Sequence, residues 1–222
     1  MDVSNEQVRQ ALLSLVGFVL SVSFHEFGHA FVADRLGDGL PRSQGRVTLW
    51  PWRHIDPMGT IVVPLLAAFA VGVPLIAWGK PVQTNTAAMT RGFSPTVNHL
   101  LVSLAGPAMN LIFAVVASAG LLVAARSGHV SPEIASGVVR FLIGLNLTLL
   151  FFNLLPIPPL DGASILAVLL PASMAGVIRT LYRYGIVLLL IVFATPVGGF
   201  LMRPANRLAQ AWSQFILEQV LG

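Results

Sequence analysis

The chain contains no cysteine, which excludes disulfides, thiolate metal sites and cysteine nucleophiles. It is also poor in charge. Only 10% of its 222 residues are Asp, Glu, Lys or Arg, against about 25% in an ordinary soluble domain. So small a polar supply cannot cover a water-soluble globule. The place of charge is taken by apolar residues, 55% of the chain with a mean hydropathy of +0.81, gathered in long runs. About 20 such residues cross a bilayer as a helix, so the composition predicts an integral membrane protein. The formal charge of +4 and pI near 10.7 would suggest nucleic-acid binding in a soluble protein. Here the basic residues sit in short loops between apolar runs, where they read as topology signals facing anionic headgroups; no nucleic-acid partner is expected. Asp2 and Glu6 precede the first run, which itself carries His25, Glu26 and His29, so a cleavable signal peptide is not expected.

The runs predict an all-α membrane protein, a polytopic helical bundle with a short β-hairpin or re-entrant element. One integral-membrane domain, 1–222, is expected, with its core at about 11–170. Residues 11–33 read as the first span, followed by a loop at 34–56 broken by Gly37, Gly39, Pro41 and Gly45. Within that loop Arg46–Trp50 reads as a short strand ended by Pro51. Residues 60–78 are apolar but interrupted at Pro64 and at Gly72-Val73-Pro74. A polar loop at 79–97, a helix at about 98–125, a loop at 126–137 and a helix from about 138 follow. A shorter apolar piece ends at Pro171, residues 184–202 read as the last span, and 205–221 reads as an interfacial amphipathic helix.

A charged side chain at mid-bilayer costs on the order of 2.5–3.5 kcal/mol on insertion scales, so each one needs a reason. Of the nine acidic residues, only Glu26 and Asp161 lie well inside apolar segments. Glu26 belongs to His25-Glu26-Phe27-Gly28-His29, an HExxH pattern on a helical segment. Four residues advance about 6 Å and return to the same helix face, so both imidazoles can share one metal ion. Such an ion brings the pKa of water toward ~7, and Glu26 is placed to take its proton before attack on a carbonyl. A catalytic zinc site usually has three protein ligands, and the candidate third is Asp161. His54, His99 and His129, in loops or at a helix edge, read as ordinary interfacial histidines. Before Asp161, Pro156, Pro158 and Pro159 cannot continue a helix, and unwound backbone at membrane depth requires protein or a wet cavity around it. Asn153 there is a candidate oxyanion donor or substrate-backbone contact; a cap or interhelical hydrogen bond is the competing reading. Val47, Thr48 and Leu49, in the expected strand, are candidates to grip an extended substrate by strand addition.

HEFGH in the first span, AGPAMN at 105–110 and FNLLPIPPLDG ending at Gly162 together resemble the site-2 protease family of intramembrane zinc metalloproteases. RHIDPMGT at 53–60 and WGKPV at 78–82 resemble its compact bacterial and archaeal branch, without PDZ or CBS modules. The resemblance implies that His25, His29 and Asp161 bind Zn2+, that Glu26 is the base and that Asn153 assists. It also implies that Asn110 supports helix packing at the site. The implied activity is cleavage of peptide bonds in or near transmembrane segments of membrane-protein substrates within the lipid bilayer. The alternatives are a membrane metal transporter and a pseudoprotease that binds transmembrane helices without cutting them.

For His29 and Asp161 to meet, their segments must run the same way with an even number of crossings between them. Residues 60–78 are therefore expected to dip in and return, the alternative being a full crossing with Asp161 near the midplane of a longer broken helix. The 34–56 side then collects eight of the 13 Lys and Arg residues, which places this loop in the cytoplasm of a cell-membrane, multi-pass protein.

Overall fold

The structure is a computed structural model and describes residues 5–64, 66 and 77–221. Helix α1 (Asn5–Leu36) runs for 32 residues, about 48 Å at 1.5 Å per residue. It stops at Gly37, whose φ of 109° suits only glycine. Gly37 N–H donates to Asp34 O and Asp38 N–H to Ala33 O, satisfying the last carbonyls. A single turn, α2 (Leu40–Ser43), precedes a stretch of irregular backbone with one π-helical turn at Pro57–Val62. Two long helices follow, α3 (Pro95–Arg126) and α4 (Pro132–Asn153). Each begins with Ser-Pro: Ser94 and Ser131 cap through their hydroxyls, and proline sits at the first helical position. That signal starts both helices several residues before their apolar runs. A proline-rich turn then leads to α5 (Asp161–Leu169), α6 (Ala175–Ala194), α7 (Pro196–Leu201) and α8 (Arg203–Leu221).

Among the described residues, four helices are long and apolar enough to cross a membrane, within Leu12–Leu36, Pro95–Arg126, Pro132–Asn153 and Ala172–Ala194. One expectation needs correction here. The last apolar span starts near residue 175 instead of 184, because Arg179 and Arg183 lie inside the helix on exposed positions, where long cationic chains can reach toward an interface. Helix α8 is amphipathic as expected; part of its apolar face packs on protein, while Leu208 and Phe215 on that face stay exposed. Ile216 joins Val139, Ile143 and Leu147 of α4 in one core, with Ala209, Trp212 and Leu121 against it. Amphipathic spacing alone does not distinguish a headgroup interface from a neighbouring helix.

The expected β-hairpin is not supported, and no strand forms among the described residues. Among the described residues the Arg46–Trp50 segment has no strand to pair with. Thr48 N–H turns back onto Arg46 O, Trp50 N–H takes the Thr48 hydroxyl, and Thr48 O accepts from His54 Nε2 at 2.7 Å. The 60–78 segment fares differently at its ends. Trp78 N–H donates to Gly59 O, and the Thr60 hydroxyl donates to Trp78 O at 2.7 Å. The segment therefore starts and finishes at one level. The expected turn at Gly72-Val73-Pro74 lies outside the described residues.

Helices α1 and α3 are antiparallel: Phe24 stacks on Phe113 at 4.3 Å, Gly28 abuts Ala105, and His29 reaches Val102. Helix α4 runs parallel to α1, with Gly17 against Phe141 and Ser21 bonded to Asn146. Both directions agree with the even-crossing requirement.

Glycine sets how close α1 and α3 come. A Cβ on Gly28 would stand 2.5 Å from Ala105 O and 2.7 Å from Met109 Cγ. A backbone oxygen cannot yield without separating the helices. Gly28→Ala is expected to destabilise the protein by roughly 1–3 kcal/mol, the usual cost of overpacking. Gly120→Ala, where a Cβ meets nothing within 4 Å, should leave stability unchanged or slightly raised. Thermal unfolding of the two variants in the same detergent checks the contrast.

Candidate metal centre

Residues 25 and 29 sit one turn apart on the face of α1 that meets α3. Their Nε2 atoms are 3.2 Å apart. Asp161, the first residue of α5, brings Oδ2 to 3.3 Å from each. The three sequence-predicted ligands thus converge from two ends of the chain, and their ligand atoms all lie within 4.8 Å of one another.

The tautomer of each neutral ring follows from its other nitrogen. His29 Nδ1 lies 2.7 Å from Val102 O, a carbonyl that can only accept, so the ring nitrogen donates. His25 Nδ1 lies 2.8 Å from Asn110 Oδ1. The amide nitrogen of Asn110 is already committed to Ser21 O and Asn146 Oδ1, at 3.2 and 3.0 Å, which turns its oxygen toward His25. His25 therefore donates as well. Neutral rings that donate through Nδ1 present bare lone pairs at Nε2. Asp161 Oδ2 is buried and has no hydrogen-bond partner.

Three acceptor atoms thus face one another across edges of 3.2–3.3 Å. Ligands about 2.0–2.1 Å from a tetrahedral zinc ion are separated by about 3.3–3.4 Å. The donor set and its spacing fit a divalent cation such as zinc. Asp161 also lies in the first turn of α5, where the helix dipole favours a carboxylate.

The surrounding chain is shaped to the cluster. A Cβ on Gly106 would meet His29 Nε2 at 2.3 Å and His25 Cε1 at 2.6 Å, so only glycine lets α3 pass the imidazoles. One on Gly162 would strike the carbonyls of Leu154 and Leu155 at 2.3 and 2.4 Å, so glycine there lets α5 fold back onto the end of α4.

Glu26 points to another side of α1. Its Oε2 accepts from Val82 N–H at 2.9 Å and lies 3.8 Å from Arg46 Nη2. Arg46 is buried, and its guanidinium donates to Arg53 O and Lys80 O. Burial pulls its pKa below the usual arginine value while Glu26 pushes it back up. Burial also lowers the His54 pKa, which keeps this ring neutral beside Arg46.

Other predicted residues fall into place less directly. Asn110 does more than support packing, since it holds the His25 ring. Asn153 ends α4 and donates to Leu149 O at 2.9 Å, within its own helix. Of Val47, Thr48 and Leu49, only Leu49 is strongly exposed, at 45%. Sequence reasoning missed Asn146, wholly buried, whose amide donates to the Ser21 hydroxyl and so links Ser21 to Asn110. An asparagine in the middle of an apolar helix was the available signal. It also missed Arg46, Val82 and Gly106. Only the last had a local sign, the Gly-Pro pair in α3.

Asn110→Leu removes the acceptor that orients His25 and is expected to weaken zinc binding roughly 10–100-fold, as measured by competition with a chromophoric chelator.

Comparison with known proteins bears on what the centre does. The sequence model described as Peptidase family M50 matches residues 120–193. A Bacillus subtilis (strain 168) protein named "Putative zinc metalloprotease YwhC" is 35% identical over 194 residues, covering 86% of this chain and 84% of that protein. A Mycobacterium tuberculosis (strain H37Rv) protein named "Putative zinc metalloprotease Rip2" is 36% identical over 189 residues, covering 83% and 68%. A Mycolicibacterium smegmatis protein of the same name is 35% identical over 190 residues, covering 83% of this chain and 68% of its own length. No solved structure matches significantly. With this identity over most of its length, the chain belongs to peptidase family M50, the site-2 protease family of zinc metalloproteases.

Proposed function

We propose that this chain cleaves peptide bonds in or next to transmembrane segments of other membrane proteins, with His25, His29 and Asp161 holding the zinc ion and Glu26 as general base. The observation that carries the reading is the triangle of three acceptor atoms with edges of 3.2–3.3 Å, next in sequence to a carboxylate held apart from it. The bound zinc would polarise the scissile carbonyl and acidify water. The rest falls to the protein. Glu26 has Oε2 occupied by Val82 N–H, which leaves Oε1 to receive the proton from the attacking water. The same oxygen then returns it to the departing amine nitrogen. Asn110 and Val102 O keep both rings in the ligating tautomer throughout.

The depth of the site suits this substrate. His29 lies seven residues before the end of α1, about 10 Å along the helix, so the bond to be cut must come within the apolar layer. A helical carbonyl is already hydrogen-bonded, so the substrate unwinds before attack. Asn153 is part of the proposal as an accessory at the end of α4, through the amide valences its bond to Leu149 O leaves free. Val47, Thr48 and Leu49 enter as a loop surface, with Leu49 as the exposed contact, since the strand expected there does not form. The basic 34–56 loop is proposed to face the cytoplasm and the protein to reside in the cell membrane.

A metal transporter is the alternative of a different class. It needs polar groups continuing across the membrane, whereas these ligands cluster at one depth. The decisive measurement uses a panel of membrane-anchored substrates in proteoliposomes, with wild type and Glu26→Gln compared under matched zinc loading. Wild type is expected to cleave at least one, and Glu26→Gln to cut it about 10²–10⁴-fold more slowly. Equal cleavage by both, or zinc flux without cleavage, overturns the proposal.

A further inference from the structure

Residues 77–85 have no regular secondary structure, yet their backbone is fixed residue by residue. Trp78 N–H donates to Gly59 O, and Trp78 O accepts from the Thr60 hydroxyl. Lys80 N–H donates to His54 O at 2.8 Å, and Lys80 O accepts from Arg46. Val82 N–H donates to Glu26 Oε2. Beyond it, the Gln83 side chain accepts from Gln44 and Asn85 N–H donates to Asp38. In an extended chain, alternate residues present N–H and C=O to the same side. Positions 78, 80 and 82 obey that register: one edge of the strap is pinned to the protein, and the third pinned N–H falls on Glu26.

The residue types between them fit this path. Gly79 passes so near α1 that a Cβ would lie 2.3 Å from Val22 Cγ1 and 3.7 Å from Glu26 Cγ. Pro81 sits where the register points a backbone nitrogen away from the pinned edge, so its missing N–H costs nothing there. Arg46 completes the arrangement. It ties Arg53 O to Lys80 O, stands 3.8 Å from Glu26, and keeps a buried Nε without a partner.

We propose that this strap is a positioning device for the general base: Val82 N–H, backed by Arg46, holds Glu26 Oε2 so that Oε1 alone faces the reacting water. The proposal rests on the reading of Glu26 as base. Glutamate has three side-chain torsions, all of which must be held for one oxygen to keep its place. A carboxylate that must both take and return one proton gains from having a single oxygen in play, since misplacement by about 1 Å can cost 100-fold in rate. The donor is a main-chain group, so its placement depends on the path of the strap and not on a side-chain rotamer.

The test deletes that N–H and nothing else. An amide-to-ester replacement at residue 82 of the full chain does so directly; Val82→Pro removes the same donor while also fixing φ, and Val82→Ala is the comparator that keeps the donor. kcat and KM on a membrane-anchored substrate, zinc content and thermal stability are measured for each, beside wild type and Glu26→Gln. A charge-assisted hydrogen bond lost at the base should lower kcat about 10–100-fold relative to Val82→Ala. KM should stay within about two-fold and zinc content should hold. Equal kcat with and without the N–H overturns the proposal, as does a loss confined to KM or to zinc content. A rise in kcat also overturns it and marks the contact as a brake. Should wild type and Glu26→Gln cleave alike, the reading of Glu26 fails, and that result is separate from the behaviour of residue 82.

Discussion

Everything in this molecule depends on keeping three lone-pair-bearing atoms, Nε2 of His25 and of His29 and Oδ2 of Asp161, within 3.2–3.3 Å of each other. Without a cation between them these acceptors repel. The fold must therefore hold them from outside. It does so with groups that are themselves fixed: a backbone carbonyl of α3 on one ring, a buried asparagine of α3 on the other, and the first turn of α5 under the carboxylate. The ligands come from rigid helices instead of loops, which keeps a preorganised site from relaxing when its ion is lost.

The same demand explains the polar residues buried between apolar helices. Hydrogen bonds between membrane helices average only about 0.6 kcal/mol in measured cases, so the Ser21–Asn146–Asn110 chain adds little to stability. Its work is geometric. Each amide has its donors assigned by neighbours, so the oxygen of Asn110 can face only His25. Small residues do the complementary task. Gly28 and Gly106 bring the backbone of α3 close enough for a main-chain carbonyl to reach a histidine ring.

Much of this site was legible in the sequence. The HExxH spacing needs only helical geometry, and Asp161 stood out because a lone carboxylate in an apolar run demands a partner. The direction of the helices followed from parity, since two segments running the same way bring His29 and Asp161 to similar depth. What escaped reading depends on information no local pattern contains. The strand expected at Arg46–Trp50 had the right residue types, but its backbone groups are consumed by Arg46 O, the Thr48 hydroxyl and His54, and among the described residues no second strand stands beside it. Arg179 and Arg183 hid the start of α6 because a composition reading treats an arginine as the end of a span. Val82 could not have been found at all, since its contribution is a main-chain N–H that any residue except proline would supply.

Glu26 and His25 are chain neighbours that must do different things, and α1 itself separates them. Adjacent helical side chains diverge by about 100°, so the ring of His25 faces α3 while the carboxylate of Glu26 faces the irregular 46–85 segment. Ligation is thereby assigned to helix packing and proton transfer to a loop-borne strap. A change in the strap can then alter the base without disturbing the ligands, whereas a change at the α1–α3 contact reaches both. The long excursion between α1 and α3 is accordingly more than a connection. It returns to its starting level at Gly59 and Trp78, and from there its backbone is carried across α1 to Glu26, a carboxylate that the metal cluster does not use.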